Sequence, residues 1–243
     1  MAKFGKKGSG GGQKGKGGMR DLTVRVKTAR GRKPSSTRWL QRQLNDPYVQ
    51  LAQREGYRSR AAYKLIEMHE KFDLFRPGQR VLDLGAAPGG WSQVAGQIIG
   101  ENGHILGVDL LEIDPMAGAE FMVLDFTDDD APEQILEKMG GKMHIVMSDM
   151  AANTTGHSQT DHLRIMALCE MAYDFAQDVL APGGHFLCKV LRGGTEGELL
   201  KTMKREFESV KHVKPQASRA DSAESYVVAL GYRGTNTTEN TTE

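Results

Sequence analysis

Val81-Leu82-Asp83-Leu84-Gly85-Ala86-Ala87-Pro88-Gly89-Gly90-Trp91 reads as an apolar strand that breaks into a glycine-rich turn and resumes as a helix. Small residues at such a turn let the main chain approach a ligand at the carboxyl end of the first strand of an open α/β sheet. A dinucleotide fingerprint requires Gly-x-Gly-x-x-Gly at this place. Gly85-Ala86-Ala87-Pro88-Gly89-Gly90 instead puts alanine where the second glycine belongs and adds a stiff proline. This disfavours a pyrophosphate, and with it a nicotinamide oxidoreductase, and suits a less bulky, phosphate-free ligand.

Outward from this stretch the chain alternates strands and helices. Apolar or β-branched runs fall at Arg80–Leu84, His104–Asp109, Glu120–Leu124, Met143–Ser148, Gly184–Val190, Ser209–Val213 and Ser225–Leu230. Helical patterns lie between them, at Trp91–Ile99, Glu133–Met139, Asp161–Leu180 and Gly197–Phe207. A further helix, Arg60–Phe72, precedes the first strand; Ser59 is its expected cap, and Ala61, Leu65, Met68 and Phe72 form its apolar stripe. The alternation predicts an α/β fold, a mostly parallel seven-stranded sheet with helices on both faces. The last two strands are joined by a loop with no crossover helix, which predicts one antiparallel strand at or near the edge.

The net charge of +1 conceals an asymmetry: residues 1–64 hold 17 Lys+Arg against 3 Asp+Glu, and residues 65–243 hold 15 against 28. A basic arm on an acidic body suggests contact with nucleic acid, through Arg54, Arg58 and Arg60 as well as the terminus, although a solvated tail serving solubility has the same composition. Residues 1–20 are nearly all Gly, Lys, Ser and Gln and read as a disordered tail. Residues 21–46 follow as a basic extension, 47–232 as the folded domain and 233–243 as a polar tail. Gly10 to Lys16 imitates a phosphate-binding loop, but Gly17 stands where a Ser or Thr must hold magnesium. Cys169 and Cys188 form no CxxC pair, and the His157/His162 pair meets no metal-site spacing, so neither a disulfide framework nor a metal is expected. The basic, glycine-rich N-terminus has no apolar core segment and does not read as a secretory signal, and no run reaches the ~18 apolar residues that a membrane span needs. A reducing, cytoplasmic setting and a monomer are the expectation.

S-adenosylmethionine is a ligand of the phosphate-free kind. Its ribose needs an acidic acceptor near the end of the second strand, where Asp109 stands; its adenine amino group needs one after the third, where Asp125 stands in Leu124-Asp125-Phe126. Together with Asp83 these put three carboxylates at the ends of consecutive strands. Any one of them alone reads equally well as a turn residue.

Lys189 lies in the otherwise apolar run His185-Phe186-Leu187-Cys188-Lys189-Val190-Leu191. Lysine is rarely buried without a partner, and desolvation lowers its pKa. Asp149, ending the neighbouring strand in Ser148-Asp149-Met150, offers a counter-charge. Lys64 reads as a helix-boundary lysine and Glu224 as a strand-edge residue, each ordinary by itself. The combination points to chemistry: two lysines and two carboxylates from helix and strand ends converging beside a sulfonium cofactor. A ribose hydroxyl is a poor nucleophile until it loses its proton, and a lysine whose pKa is depressed by burial and a second ammonium can take it.

Arg58-Ser59-Arg60-Ala61-Ala62-Tyr63-Lys64-Leu65, the Asp83–Gln93 loop, Ser148-Asp149-Met150-Ala151, Lys189-Val190, and Lys214-Pro215 with Ser218-Arg219-Ala220 and Ser222-Ala223-Glu224-Ser225-Tyr226 occur in this order. From about Pro47 to Tyr232 the chain resembles the FtsJ/RrmJ (RlmE) family of ribosomal RNA large-subunit methyltransferases. The resemblance implies a Rossmann-like S-adenosylmethionine-dependent methyltransferase fold. It also implies a catalytic tetrad of Lys64, Asp149, Lys189 and Glu224, with Lys189 as proton acceptor, and cofactor contacts at Gly89, Trp91, Asp109, Asp125 and Asp149. The implied activity is 2'-O-methylation of a uridine in 23S rRNA, carried out on the large ribosomal subunit. A tRNA anticodon loop is the alternative substrate, and a non-catalytic RNA-binding assembly factor the alternative class. The long Gly/Lys-rich N-terminus departs from the family pattern.

Overall fold

Strand β1 (Arg80–Leu84) is buried at four of its five positions. It pairs in parallel with β2 (His104–Asp109) on one side and β4 (Met143–Ser148) on the other. A strand buried on both faces reads as a near-continuous apolar run, which is why its bounds were legible in the sequence. The structure, a computed structural model, describes residues 34–152, 155–192 and 197–234. The Gly/Lys-rich stretch 1–20 and nearly all of the polar C-terminal stretch lie outside the described residues.

The seven strands run in the order β3-β2-β1-β4-β5-β7-β6. The remaining strands are β3 (Glu120–Val123), β5 (Leu180–Leu191), β6 (Phe207–Val213) and β7 (Glu224–Tyr232). All pairings are parallel except those of β7, which is antiparallel to both β5 and β6. The one reversed strand is therefore slotted inside the edge, where the loop-only connection from β6 required a hairpin. Strand β5 starts four residues before the expected Gly184. Its partner Met143 pairs with Leu180 and the next partner, Ile145, with His185, so a register irregularity absorbs Ala181 to Gly184.

One face of the sheet carries α5 (Ala131–Met139), α6 (Ser158–Val179) and α7 (Gly197–Glu206) over a core including Leu82, Leu106, Val146 and Phe186. The other carries α3 (Ala61–Phe72) and α4 (Gly90–Ile99) over Val81, Ile105, Met147, Leu187 and Tyr226. Helix α2 (Pro47–Glu55) packs Ala52 against Tyr63 and Ala217 in a third, smaller cluster.

Helix α3 departs from the expected pattern in two ways. Arg60 holds its N-cap position with no side-chain cap, and Ser59 contributes its main-chain carbonyl to Ala62 N–H at 3.2 Å. Its buried residues are Ala62, Tyr63, Lys64, Leu65 and Met68, with Ala61 and Phe72 only half-buried. The inward face is wider than the expected stripe because the helix also meets the third cluster through Tyr63 and a polar site through Lys64. Burying Leu65 and Met68 contributes about 1.5–3 kcal/mol each.

The chain divides into two compact units, Met1–Asp46 and Pro47–Glu243. The first contains a helix that the composition did not announce, α1 (Pro34–Leu44). Pro34 suits a first helical position, and Asn45 closes the far end by donating from Nδ2 to Gln41 O at 2.7 Å.

Candidate active site

The order of strands reverses between β1 and β4, and at such a point the carboxyl ends open a crevice. A cavity of about 670 Å³ lies there, within the range of small-molecule sites. Its wall takes Gly85 after β1, Asp109 at the end of β2, Asp125 after β3 and Met150 after β4, with Phe126 and Leu168 among its apolar members. Gly85 has φ +70, and a Cβ there would lie 2.1 Å from Met150 Cγ, so the turn can only be glycine.

Asp109 is aimed by the main chain: Oδ2 accepts from Ala87 N–H and Oδ1 from Leu111 N–H, both at 2.9 Å. Each oxygen retains a lone pair for a ligand hydroxyl. Asp125 Oδ1 accepts from the hydroxyl and N–H of Thr127, at 2.7 and 3.0 Å, and these bonds hold its carboxyl below the usual range. Among the described residues, its Oδ2 takes no hydrogen bond. Two carboxylates against one cation in the wall, Arg164, fit a nucleoside without phosphates better than a pyrophosphate.

Asp83 does not belong to this cavity. It is 1% exposed and accepts from Ser92 Oγ at 2.7 Å. Burial pushes its carboxyl up to about 7. The series of three strand-end carboxylates is thus two groups in the cavity wall and one buried beneath it. Gly89 and Trp91 are likewise outside the cavity wall. Gly89, at φ +97, is the turn into α4 beneath the Arg58 side chain. Trp91 donates from Nε1 to Ala61 O at 2.9 Å and stacks 5.7 Å from the Tyr226 ring.

Beside the cavity the four charged residues singled out from the sequence come together. Parallel pairing sets Ser148 opposite Cys188, so Asp149 emerges next to Lys189. Antiparallel pairing sets Lys189 opposite Tyr226 and Leu191 opposite Glu224. Helix α3 brings Lys64 from the layer above. Lys189 Nζ lies 2.8 Å from Asp149 Oδ1 and 3.8 Å from Glu224 Oε2, and donates to Asp149 O at 2.7 Å. Lys64 Nζ lies 2.8 Å from Glu224 Oε1 and 3.6 Å from Asp149 Oδ2. Both lysine side chains are 7% exposed. Asp149 links the two features: its side chain is in the cluster, and Met150 and Ala151 after it form cavity wall.

Burial alone would raise the Asp149 and Glu224 carboxyls, but the two ammonium groups outweigh it and hold both below the ordinary range. Lys189 runs opposite to the expectation from sequence. Burial pushes it down, yet Asp149 and Glu224 push harder, and it ends above its ordinary value. The expected depression overlooked how closely two carboxylates approach this amine. Four buried charges that cancel define a geometry more than they stabilise a fold, because desolvation offsets much of their attraction.

Two members of the site were missed in the sequence. Tyr226 donates its hydroxyl to Asp149 Oδ1 at 2.5 Å and accepts from Lys64 Nζ at 2.9 Å. Ser218, 5% exposed, donates to Glu224 Oε1 at 2.8 Å. Tyr226 lies two residues after Glu224, and the period of a strand puts both on one face, so that signal was available.

The expected RNA contacts at Arg58 and Arg60 are engaged within the fold. Arg58 donates to the carbonyls of Pro88, Asp114 and Pro115 at 3.2, 2.6 and 2.9 Å and lies over the Phe121 ring. Arg60 donates to Ala217 O and lies over Tyr48. Arg54 is 74% exposed.

With its strand order and a ligand cavity at the β1/β4 crossing, the second unit has the fold of a Rossmann-like methyltransferase. Comparison with known proteins agrees. The family described as FtsJ-like methyltransferase matches residues 57–232, and the chain belongs to that family. It is 58% identical to the ribosomal RNA large subunit methyltransferase E of Parvibaculum lavamentivorans, over 96% of both chains. It is 61% identical to the protein of the same name from Azorhizobium caulinodans, over 88% of this chain and 91% of that one. Among solved structures, a Plasmodium falciparum protein provisionally described as a ribosomal RNA methyltransferase is 30% identical, with a TM-score of 0.66 over 73% of this chain and 100% of that one.

Proposed function

We propose that this protein methylates ribosomal RNA of the large subunit, using S-adenosylmethionine to modify the 2'-hydroxyl of a uridine in 23S rRNA within the subunit. The observation that carries the reading is the closed cluster of Lys64, Asp149, Lys189 and Glu224 next to a cavity with two carboxylate acceptors. The names of relatives similar over nearly the whole chain supply the substrate class. Residues 47–232 form the methyltransferase domain, which works as a monomer in the cytoplasm. The basic residues of 1–46 add affinity for the RNA backbone.

Asp109 would accept from the cofactor's ribose hydroxyls and Asp125 from its adenine amino group, with Asp149 and the main chain of Gly89 and Trp91, all beyond the wall of this cavity, completing the site. When bound, S-adenosylmethionine supplies an activated methyl group. Lys189 takes the proton of the 2'-hydroxyl. It starts as an ammonium ion, so it must first release its own proton to water. Its raised pKa then has two opposed effects: the neutral form is scarcer at a given pH, and it is a stronger base when present. Asp149 and Glu224 stabilise the ammonium that forms, and Lys64 keeps their charge balanced.

Ribose-methylation mapping of ribosomal RNA from cells with and without the protein tests this. Loss of one 2'-O-methyl uridine in the large-subunit RNA is the expected result. An unchanged map overturns the reading.

A further inference from the structure

Arg60, Lys64 and Glu67 follow one another at the i, i+4 and i+7 spacing that returns to one side of a helix. All three engage the segment that runs from β6 into β7. Arg60 donates to Ala217 O, and Lys64 reaches Glu224. Glu67 accepts from the N–H groups of Gln216 at 2.5 Å and Ala217 at 3.0 Å, one carboxylate oxygen to each.

This segment is a long polar connection, which by composition would be mobile. Here it is a pinned arch. Lys214 Nζ spans it by donating to Ser222 O at 2.6 Å and Ala220 O at 3.2 Å. Ala217 is fully buried against Ala52 and Tyr63. The next residue is Ser218, whose hydroxyl holds Glu224 Oε1, the same oxygen that faces Lys64.

We propose that Glu67 is a positioning residue for the charged cluster: by gripping two consecutive amides of the arch it sets Ser218, and through it Glu224, against Lys64 on its own helix. Glu67 stands one turn beyond Lys64 on a rigid element, about 4.5 Å along the axis. Helix geometry therefore fixes the separation between the amine and the anchor of the carboxylate it pairs with. A surface glutamate serving solubility would have no reason to spend both oxygens on main-chain donors 149 and 150 residues away.

The inference rests on the reading that the cluster serves methyl transfer. Single-turnover transfer from S-adenosylmethionine to large ribosomal subunits lacking the modification tests it, with wild type, Glu67→Ala and Glu67→Gln. Glu67→Ala is expected to slow transfer by about ten- to a hundredfold, the effect of displacing a reacting group by roughly an ångström. The half-saturating concentration of cofactor stays within about twofold, since Glu67 is not part of the cavity wall. Glu67→Gln keeps the shape and one acceptor oxygen and recovers part of the rate. In both variants a loosened Glu224 supports the Lys189 ammonium less, so the rate–pH curve moves to lower pH, which a general loss of stability does not produce. If Glu67→Ala does not fold, Glu67→Gln decides by the same two readouts. Wild-type rate and pH curve in the folded variants overturn the inference and leave the functional reading standing. Wild-type protein that transfers no methyl group overturns both.

Discussion

The ammonium of Lys64 and the hydroxyl of Tyr226 meet at 2.9 Å, and the same hydroxyl donates to Asp149 at 2.5 Å. A neutral group thus joins a cation to an anion that otherwise stand 3.6 Å apart. Burial, with Asp149 and Glu224 nearby, holds the phenol well above its ordinary pKa, so it remains a donor throughout the working range. Tyr226→Phe keeps the ring against Trp91 and removes only this link. It should destabilise the protein by about 1–3 kcal/mol in urea unfolding, because Asp149 loses a donor in a buried setting. Unchanged stability would mean that the tyrosine contributes its ring alone.

Asp109 touches both the glycine-rich turn and the residue two beyond it, so its carboxylate is oriented before any ligand arrives. Asp109→Ala should weaken S-adenosylmethionine binding by roughly 1.5–3 kcal/mol, the value of a charge-assisted hydrogen bond, while the fold persists. Titration calorimetry giving wild-type affinity in this variant would remove the ribose assignment.

How much of this was legible in advance divides along physical lines. β1, β2 and β4 were bounded correctly because strands buried on both faces leave continuous apolar runs between turn residues. Lys189 and Asp149 stood out as residue types, a lysine in an apolar strand and an aspartate at the end of its neighbour. Lys64 and Glu224 were ordinary by themselves and entered through their combination with that pair and the family resemblance. What could not be read was distance. The sign of the Lys189 shift depends on carboxylate oxygens at 2.8 and 3.8 Å, and sequence gives adjacency without separation. Arg58 and Arg60 looked like free cations because their acceptors are main-chain carbonyls, which no side-chain pattern reveals. Helix α1 lay hidden in a segment whose basic composition drew attention to charge rather than periodicity.

Asp83 provides a test that is independent of catalysis. Its folded pKa is about 7 against an ordinary 3.8, raised by burial. A native state that holds the proton more tightly gains stability from this group below pH ~4 and loses it progressively as pH rises through ~7. Asn at this position keeps an acceptor for Ser92 and carries no charge. Asp83→Asn should therefore raise the melting temperature over wild type by clearly more at pH 8 than at pH 5, where only part of the wild type's stabilisation has been lost. The difference between the variants isolates this group from Asp149 and Glu224, whose lowered pKa values give stability that is lost as pH falls. An advantage of equal size at both pH values would exclude a titrating Asp83.

The proposed proton-acceptor role of Lys189 sets the kinetics expected of its variants. Lys189→Ala should abolish single-turnover methyl transfer while cofactor and RNA affinities stay near wild type, since the amine acts in the transition state. Lys189→Arg should fail almost as badly: a guanidinium keeps the charge that Asp149 and Glu224 require but does not release a proton at working pH. The wild-type rate should climb with pH across the alkaline range, because Asp149 and Glu224 hold the resting amine protonated. Glu224→Ala should shift that climb to lower pH by removing one of the two carboxylates. A Lys189→Arg variant that turns over at the wild-type rate on ribosomal subunits would reduce Lys189 to an electrostatic clamp and require the 2'-hydroxyl to lose its proton to another group.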